Sequence, residues 1–322
     1  MREKDNRVFL SLTGGLGNQL FQLAAGLNLA ENGKLSLVTE LGAPRKSKDG
    51  KADLLSFSLP KRVELLKEKR ANWITKKTAG FMLRNGLAPT RIEKNIVFVF
   101  FSKMFTNIVM STFLRSKVVV LASSNVGYSL MQVTKTKTML LGYFQSYRWA
   151  EKPEILNQLR SIGFLQNSEL IKQYSIDAEI ELPLIVHVRL GDYLSEKNFG
   201  IPSKDYYREG INRISSTEKC KSIWLFSDDL EKAREFIPND ISIPVRMIPE
   251  IDDSAAATLE VMRFGVGYVI ANSTFSWWAA SLKQIVEAPI YCPRPWFSKS
   301  MQPIDLIPEH WIQIDTSYKE PK

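Results

Sequence analysis

The spacing of apolar and polar residues near the start of the chain predicts one βαβ unit. Residues 8–12 form a nearly continuous apolar run typical of a buried strand, and residues 20–30 place apolar side chains at helical spacing. The glycines of residues 13–17 predict a tight loop between them, and Gly33 predicts the end of the helix. Residues 35–38 then form the next strand. This order is that of a parallel sheet whose first loop follows the carboxyl end of the first strand.

The same alternation returns in the second half of the chain. Short apolar runs predict strands, and the longer stretches between them predict helices. The predicted strands are residues 184–188, 223–226, 245–248, 268–271 and 289–292, and the clearest helices are residues 255–264 and 275–286. A chain of 322 residues also exceeds the usual size of a single hydrophobic core. We therefore predict an α/β protein with two Rossmann-like doubly wound domains, residues 1–150 and 151–322.

The pattern is irregular between residues 45 and 137, where basic clusters alternate with apolar runs, and we expect an insertion there. Residues 95–114 are largely apolar, but Lys103 and Asn107 interrupt them, so no membrane-spanning helix is predicted. Two alternatives stay open for this segment. It forms one or two core helices, or it rests on an anionic membrane surface through flanking basic residues. Those residues are Arg91, Lys94, Arg115 and Lys117.

Charge is distributed unequally between the two predicted domains. The net charge is +9, but residues 1–150 carry 24 Lys and Arg against 9 Asp and Glu, or +15, so the remainder carries −6. The basic half predicts anionic partners. Nucleic acid is not expected among them, because no recognition module or regular aromatic spacing accompanies the charge. Cys220 and Cys292 have no redox or metal-ligand spacing, and no secretory signal is apparent, so a cytoplasmic protein is expected.

Polar residues follow the predicted strands of the second half, at the edge where parallel sheets bind ligands. Arg189 follows the first of these strands, and its five-donor guanidinium suits paired phosphate oxygens. The alternative is a salt bridge to Asp192 that only fixes the loop. Residues 272–276 join a strand to a helix, where backbone N–H groups favour an anion. Plain helix capping by Ser273 or Thr274, with the following tryptophans in the core, is the alternative there.

The glycine-rich loop after the first strand has neither the dinucleotide-binding nor the P-loop spacing. Gly15 and Gly17 therefore predict a close approach of the backbone. Asn18 and Gln19 offer amides, which suit sugar hydroxyls.

Two acidic residues follow the strand at 223–226. Asp228 and Asp229 could bind a metal, or Asp229 could cap the next helix. The only histidines, His187 and His310, offer too little for a zinc site or a Ser-His-Asp triad.

Five blocks of the sequence together resemble the α-1,2-fucosyltransferases of bacteria and animals, the bacterial type of glycosyltransferase family eleven, which is related to α-1,6- and protein O-fucosyltransferases. The blocks are residues 14–22 (GGLGNQLFQ), 142–146 (GYFQS), 187–193 (HVRLGDY), 226–229 (FSDD) and 272–280 (NSTFSWWAA). They span most of the chain outside the basic insertion.

The resemblance implies a GT-B architecture in which an acceptor-side N-terminal domain and a nucleotide-sugar-binding C-terminal domain face each other across a cleft. It implies inverting transfer of L-fucose from GDP-L-fucose to a galactosyl hydroxyl, with no cofactor and no required metal. Related enzymes place the arginine of the third block on the β-phosphate and the histidine near guanine, which carries over to Arg189 and His187. The donor site is further expected to include Asp228 and the hydroxyls of the last block. Those hydroxyls belong to Ser273, Thr274 and Ser276.

The sequence departs from the family pattern at two positions. Leu190 stands where the family usually has a second arginine, and Thr258 lies near the place of an aspartate that reads guanine in related enzymes. Glu260 is expected to take that role, because a carboxylate can accept from the guanine N1–H and 2-amino groups. Asp192, and after it Glu196, are the candidates for the base that accepts the proton of the acceptor hydroxyl.

Two functional alternatives stay open from the sequence. One is a transferase that uses another nucleotide deoxysugar, and the other is a non-catalytic relative that binds carbohydrate or nucleotide. The expected acceptor is a galactose-containing oligosaccharide of a surface-glycan precursor, as in O-antigen biosynthesis. If the acceptor is lipid-linked at the inner face of the cytoplasmic membrane, the basic half of the chain is expected to contact that membrane.

Overall fold

The chain forms two compact units. The structure is a computed structural model that describes residues 7–66, 70–85, 96–123, 137–191, 193, 199–216, 220–299, 302 and 305–319. The first unit comprises Met1–Ile162 with Ile304–Leu306, and the second comprises Gly163–Pro303 with Ile307–Lys322. The short return of the chain to the first unit is fixed because the Ser146 hydroxyl and the Tyr147 N–H both donate to the Asp305 carbonyl, at 2.9 and 2.8 Å.

Within the described residues, the first unit is built on one parallel sheet. Its elements are β1 (Val8–Ser11), α1 (Leu16–Ala30), β2 (Leu35–Val38), β3 (Val63–Leu65), α2 (Trp73–Asn85), α3 (Ile96–Leu114), β4 (Val119–Ser123), β5 (Thr138–Gly142) and α4 (Pro153–Arg160). The strand order is β3-β2-β1-β5-β4, and every pairing is parallel. Helix α4 packs on α1. The sequence-based boundary at residue 150 lies before α4, which belongs to this unit.

The second unit is a larger parallel sheet with helices between its strands. Its elements are α5 (Glu169–Glu181), β6 (Pro183–Val188), β7 (Ile201–Pro202), α6 (Lys204–Ser215), β8 (Ser222–Ser227), α7 (Leu230–Ala233), β9 (Val245–Ile248), α8 (Ala255–Met262), β10 (Gly267–Val269), α9 (Thr274–Ser281), β11 (Ile290–Arg294), β12 (Ile312–Asp315) and β13 (Tyr318–Lys319). The main sheet has the order β12-β11-β10-β6-β8-β9, and β7 pairs with β13 as an antiparallel ribbon. The predicted α/β class with two Rossmann-like doubly wound units is confirmed.

The three predicted helices have different ends in the structure, and α8 ends at Met262 rather than at residue 264. Helix α1 begins at Leu16 rather than at residue 20, and the Gln19 N–H donates to the Gly15 carbonyl at 3.1 Å. The glycines that predict a loop are therefore partly inside the first helical turn. Helix α9 ends at Ser281 rather than at residue 286, because the Gln284 N–H donates to the Arg263 carbonyl and leads the chain away from the helix axis.

The apolar segment at 95–114 contains the single helix α3. Helices α2 and α3 pack on each other, and both pack on β4. Helix α2 also packs on β5. Their inner faces share one core cluster, to which α2 contributes Met82 and α3 contributes Met110 and Leu114. This geometry agrees with the core-helix alternative for one face of α3. In the described part of the chain, no helix is long and apolar enough to cross a membrane.

Candidate active site

Each parallel sheet has one point at which the order of its strands reverses. In the second unit, β8 and β9 lie on one side of β6, whereas β10, β11 and β12 lie on the other, so the reversal falls between β6 and β10. In the first unit it falls between β1 and β5. Ligands of doubly wound sheets bind beyond the carboxyl ends of the strands at such a switch point. Four of the five sequence blocks lie at these strand ends, and the fifth follows β8.

Arg189 lies directly beyond the end of β6. Its side chain is 27% exposed, and its Nη1 is 3.1 Å from Asp228 Oδ2. The guanidinium carbon also lies 5.9 Å from the ring centroid of Tyr193. A salt bridge to Asp228 therefore fixes this loop. The salt bridge to Asp192 stays a prediction, because Asp192 lies outside the described residues. A guanidinium that is oriented and still partly exposed at a switch point can receive an anionic ligand.

Asp228 holds the backbone of the loop that carries Arg189. Its Oδ1 accepts from the Leu190 N–H and its Oδ2 from the Gly191 N–H, each at 2.9 Å. A β-carbon at residue 191 would overlap Asp228 Oδ2, so a glycine is needed for this close approach. Because both carboxylate oxygens bind donors of the chain itself, Asp228 orients Arg189 and the loop.

The neighbours of these two residues have structural roles. The side chain of Leu190 is 2% exposed and belongs to the core cluster of the second unit, so the position that carries a second arginine in the family is used here for packing. Capping by Asp229 is confirmed: its carboxylate accepts from the Lys232 N–H at 3.2 Å and from Lys232 Nζ at 2.7 Å.

His187 is buried at the end of β6. Its ring centroid lies 5.9 Å from that of Phe275 on α9, across the switch point. Burial, and after it the positive charge of Arg189, lowers the pKa of His187 to about 3, although the carboxylate of Asp228 acts in the opposite direction. The imidazole is therefore neutral at neutral pH. Among the described residues, its buried Nδ1 has no hydrogen-bond partner.

Asn272 joins the loop after β6 to the loop after β10. Its carbonyl accepts from the Tyr193 hydroxyl at 3.0 Å, and its Nδ2 donates to the carbonyls of Phe199 and Gly200 at 3.1 and 3.2 Å. The rings of Tyr193 and Phe199 stack with centroids 5.0 Å apart. Within the described residues, the buried Oδ1 of Asn272 has no partner.

The three hydroxyls predicted to approach phosphate occupy different environments at the start of α9. Ser273 is the N-cap, and its Oγ accepts from the Phe275 N–H at 3.3 Å, so helix capping is confirmed. The hydroxyl of Ser276 is buried, and its Oγ lies 3.3 and 3.4 Å from two backbone carbonyls. Thr274 is the one of the three that is partly exposed. The two tryptophans that follow are buried in the core.

Glu260 lies on α8 and is held by Arg263. Both of its carboxylate oxygens accept from Arg263 Nη1, at 3.0 and 3.1 Å. Burial raises the pKa of Glu260, and the interaction with Arg263 opposes that shift. Thr258 accepts from the Ile251 N–H and donates to the Ser254 carbonyl. The carboxylate of Glu260 is thus already bound to an arginine. Its role in guanine recognition stays a prediction.

In the first unit, the glycine loop turns sharply at the end of β1. Gly14 has φ of +72°, and a β-carbon there would lie 2.6 Å from Asn18 Nδ2. Gly15 is partly exposed with open space around it, whereas Gly17 is buried in α1. Asn18 is partly exposed, and its Oδ1 accepts from Gln145 Nε2 at 2.8 Å. The loops after β1 and β5 thus meet at the switch point.

Gln19 does not present its amide to solvent. The side chain is fully buried, and its Nε2 donates to the carbonyls of Gly14 and Arg45 at 2.9 and 3.1 Å. Its Oε1 accepts from the Leu54 N–H at 2.9 Å. The amide that the sequence assigned to a sugar therefore holds two loop segments of the protein together.

Comparison with known proteins places the chain in a family. The sequence model of the family described as "Glycosyl transferase family 11" matches residues 8–294. The chain belongs to glycosyl transferase family 11. It is 25% identical to an alpha-1,2-colitosyltransferase of Escherichia coli, over 96% of this chain and 99% of the relative. It is also 25% identical to the O-antigen biosynthesis glycosyltransferase WbnK of Escherichia coli, over 95% of this chain and 100% of the relative. Among solved structures, the fucosyltransferase NodZ from Bradyrhizobium aligns with a TM-score of 0.47 and 14% identity, over 87% of this chain and 94% of NodZ.

Sequence reasoning missed several residues that build the site of this family 11 protein. Gln22 is buried, accepts from the Thr13 N–H at 3.0 Å and donates to the Gly142 carbonyl at 3.0 Å, so it links β1 to β5. Asn272 lies in the segment at 272–276 that the sequence predicts to favour an anion, but the contacts of its side chain with the loop after β6 were not predicted. The spacing of Gln19 and Gln22 was the signal that could have revealed their structural role. They are three residues apart, and so on one face, of a helix that is buried except at Asn18 and Asn28.

The proposed bases lie outside the described residues. Asp192 and Glu196 are both in that category, and their roles stay predictions.

Proposed function

We propose that this glycosyltransferase is an inverting galactoside α-1,2-fucosyltransferase. It moves L-fucose from GDP-L-fucose to O2 of a galactosyl unit in a surface-glycan precursor. The observation that carries the proposal is Arg189, oriented by Asp228 and partly exposed at the β6–β10 switch point of a family 11 chain.

The diphosphate would lie between Arg189 and the N-terminus of α9. Transfer leaves an additional negative charge on the departing nucleotide, and a fixed guanidinium stabilises that charge at the moment it forms. The backbone N–H groups at the start of α9 and the partly exposed hydroxyl of Thr274 add donors on the opposite side.

Two buried polar atoms, one on each side of the switch point, support the proposal of a ligand there. The Nδ1 atom of neutral His187 and the Oδ1 atom of Asn272 are buried without partners among the described residues. Buried polar atoms normally find a hydrogen bond, so unpaired ones at a ligand edge need an explanation. In the proposed complex, His187 lies near the guanine. No metal is included, because the carboxylates of Asp228 and Asp229 are engaged by N–H donors and lysine.

The acceptor would meet the first unit at the glycine loop. Asn18 and Gly15 are partly exposed there, and Gln145 orients the Asn18 amide, so these two residues are the proposed sugar contacts. Asp192, or after it Glu196, takes the proton of the attacking hydroxyl. We further propose that the acceptor is lipid-linked and that the enzyme works at the inner face of the cytoplasmic membrane, with support from the net charge of +15 on residues 1–150.

A second donor is favoured by one specific observation, the 25% identity to an alpha-1,2-colitosyltransferase along nearly the whole chain. A donor panel separates the two possibilities. Purified protein is given a galactose-terminated acceptor with GDP-L-fucose, GDP-colitose or a dTDP-deoxysugar, and the products are read by mass spectrometry. We expect fucosyl transfer with inversion. If only GDP-colitose supports transfer, colitose replaces fucose as the proposed donor sugar. If no donor is either transferred or hydrolysed, the protein is a non-catalytic relative.

Arg189→Ala tests the site itself. Turnover should fall by at least about a hundredfold, as expected for loss of a charged group that acts in the transition state. Arg208→Ala is the matched control, because Arg208 is a half-exposed arginine on α6 that pairs with Asp240. Equal activity in both variants would exclude Arg189 from the reaction.

A further inference from the structure

Two neighbouring helices of the first unit each expose an apolar stripe. On α3 the exposed apolar side chains have the spacing i, i+3, i+4 and i+7, which is one helical face. They are Phe101 (56% exposed), Met104 (45%), Phe105 (52%) and Ile108 (57%). On α2 they are Trp73 (68%), Ile74 (51%) and Phe81 (40%). Large apolar side chains gathered on one exposed surface indicate an interaction site.

The two stripes point away from the protein on the same side of the sheet. The opposite faces of α2 and α3 bury Ala79 and Met82, and Met110 and Leu114, in one core cluster with side chains of the sheet. Because the two helices also pack on each other, their outer faces are neighbours. We call the seven exposed apolar side chains the α2–α3 face.

The charge around the α2–α3 face is mainly positive, although Lys76 on α2 pairs with Glu40 at 4.0 Å. Lys77 and Lys103 are exposed on the same helices, and Arg115 and Lys117 are exposed just beyond α3. Lys77 Nζ lies 4.5 Å from the ring centroid of Trp73. Glu93 is the only acidic residue of the sequence between positions 70 and 117. Basic residues around an apolar helical face, with a tryptophan at its border, are typical of helices that lie in the plane of an anionic membrane surface.

We propose that the α2–α3 face docks this protein on an anionic lipid bilayer. The apolar side chains enter the boundary between headgroups and acyl chains, and the lysines and arginines meet the phosphates. This deepens the proposed function, since it rests on a lipid-linked acceptor for its purpose, but docking requires neither donor nor acceptor. A binding assay and an activity assay can therefore fail separately.

The test is flotation of the full chain with lipid vesicles. One vesicle type is phosphatidylcholine alone, and the other contains about one quarter phosphatidylglycerol, which supplies the negative surface charge. We expect the protein to float with the anionic vesicles and to be released by high salt. Absence of binding to anionic vesicles would overturn the proposal, as would equal binding to both vesicle types.

Matched variants show whether this face is the one that binds. Phe105→Glu and Ile108→Glu change exposed side chains and should each weaken vesicle binding at least about tenfold. The control is Ile180→Glu, since Ile180 is 67% exposed on α5 of the other unit. Lys103→Glu should also weaken binding, whereas Lys46→Glu makes the same charge change at another exposed site of the first unit and should not.

Two further measurements separate the other occupants and the enzyme activity. Light scattering of Phe105→Glu and of the unchanged chain tests a second copy as the occupant; a dimer that the substitution dissociates would assign the face to self-association and overturn the proposal. Activity on a soluble galactoside should be the same in Ile108→Glu and in the unchanged chain. Loss of that activity without loss of vesicle binding would also overturn the assignment of this face.

Discussion

Replacement of Asp228 by asparagine tests whether Arg189 works because it is held in place. Asp228 accepts from the N–H groups of Leu190 and Gly191 and pairs with Arg189, so all three of these partners are donors. Asparagine keeps one oxygen but replaces the other with an amino group, which must face a donor. The shape of the side chain is conserved while its hydrogen bonding is broken.

The expected loss can be estimated from these contacts. Hydrogen bonds to a charged group contribute about 1.5–3 kcal/mol each, and the asparagine loses the charge from all three and the acceptor from at least one. The side chains of Asp228 and Arg189 are 23% and 27% exposed, so solvent screens them only in part. A total of about 3 kcal/mol corresponds to about a hundredfold lower kcat/KM for the donor.

The assay is steady-state transfer to a galactoside at varied donor concentration, with the thermal midpoint measured on the same preparations. Asp229→Asn is the matched control, because that neighbouring carboxylate only caps α7 and binds Lys232. We expect Asp229→Asn to retain its activity and to lose at most about 1 kcal/mol of stability.

The double variant with Arg189→Ala decides whether Asp228 acts through the arginine. If it does, Asp228→Asn should cost almost nothing further once Arg189 is absent, because interacting residues are not additive. If the fold-losses in kcat/KM of the two single variants multiply in the double variant, the two residues act independently and the reasoning is refuted. It is also refuted if Asp228→Asn retains more than about half of the original kcat/KM.

Three further predictions concern the same structure. Gly191→Ala should reproduce the kinetic defect of Asp228→Asn with little change in the thermal midpoint, because the new β-carbon would displace that carboxylate. The pKa of His187 is about 3 when folded and about 6.5 when unfolded, so the unfolded chain binds an additional proton between these values. The unfolding free energy should therefore fall by up to about 1.4 kcal/mol for each pH unit below 6.5. In His187→Gln, the unfolding free energy measured with urea should depend less steeply on pH. Gln19→Ala should lower the unfolding free energy by about 2–4 kcal/mol, since the buried Leu54 N–H loses its acceptor and the carbonyls of Gly14 and Arg45 each lose one of their donors, whereas exposed Gln173→Ala should change it little.

Part of each sheet could be predicted closely from the sequence: β1 and β2 in the first unit, and β6, β8, β9, β10 and β11 in the second. The strands β3, β4, β5, β7, β12 and β13 were not predicted. Residues 184–188 and 223–226 are apolar because helices cover both faces of a parallel sheet, and the structure has strands at Pro183–Val188 and Ser222–Ser227. The polar residues that follow them were located for the same reason, since a strand that ends at the sheet edge is followed by the ligand side. Helix ends were harder, because hydrogen bonds to distant segments set them, as with Gln284 and Arg263.

The partners of the polar side chains could not be predicted in the same way. Asp228 holds a loop 38 residues earlier in the chain, and Gln22 binds a carbonyl 120 residues later. Neither contact has a local pattern, because each depends on which strands become neighbours. Gln19 shows the resulting error: its amide has the right chemistry for a sugar hydroxyl, but α1 buries it against the Gly14 and Arg45 carbonyls.

The same distinction explains why motif blocks locate a site better than they assign its residues. The block at 272–280 brings seven polar or aromatic side chains to the start of α9, yet Ser273 caps the helix and Ser276 is buried against backbone carbonyls. What the block leaves at the ligand edge is the partly exposed Thr274 and the Oδ1 of Asn272, which has no partner among the residues that the structure describes. A sequence shows which residues reach a switch point, because topology follows from patterning. Which of their atoms can still bind a ligand depends on the hydrogen bonds that the fold has already used, and at this edge those bonds single out Arg189, His187, Asn272 and Thr274 for mutation first.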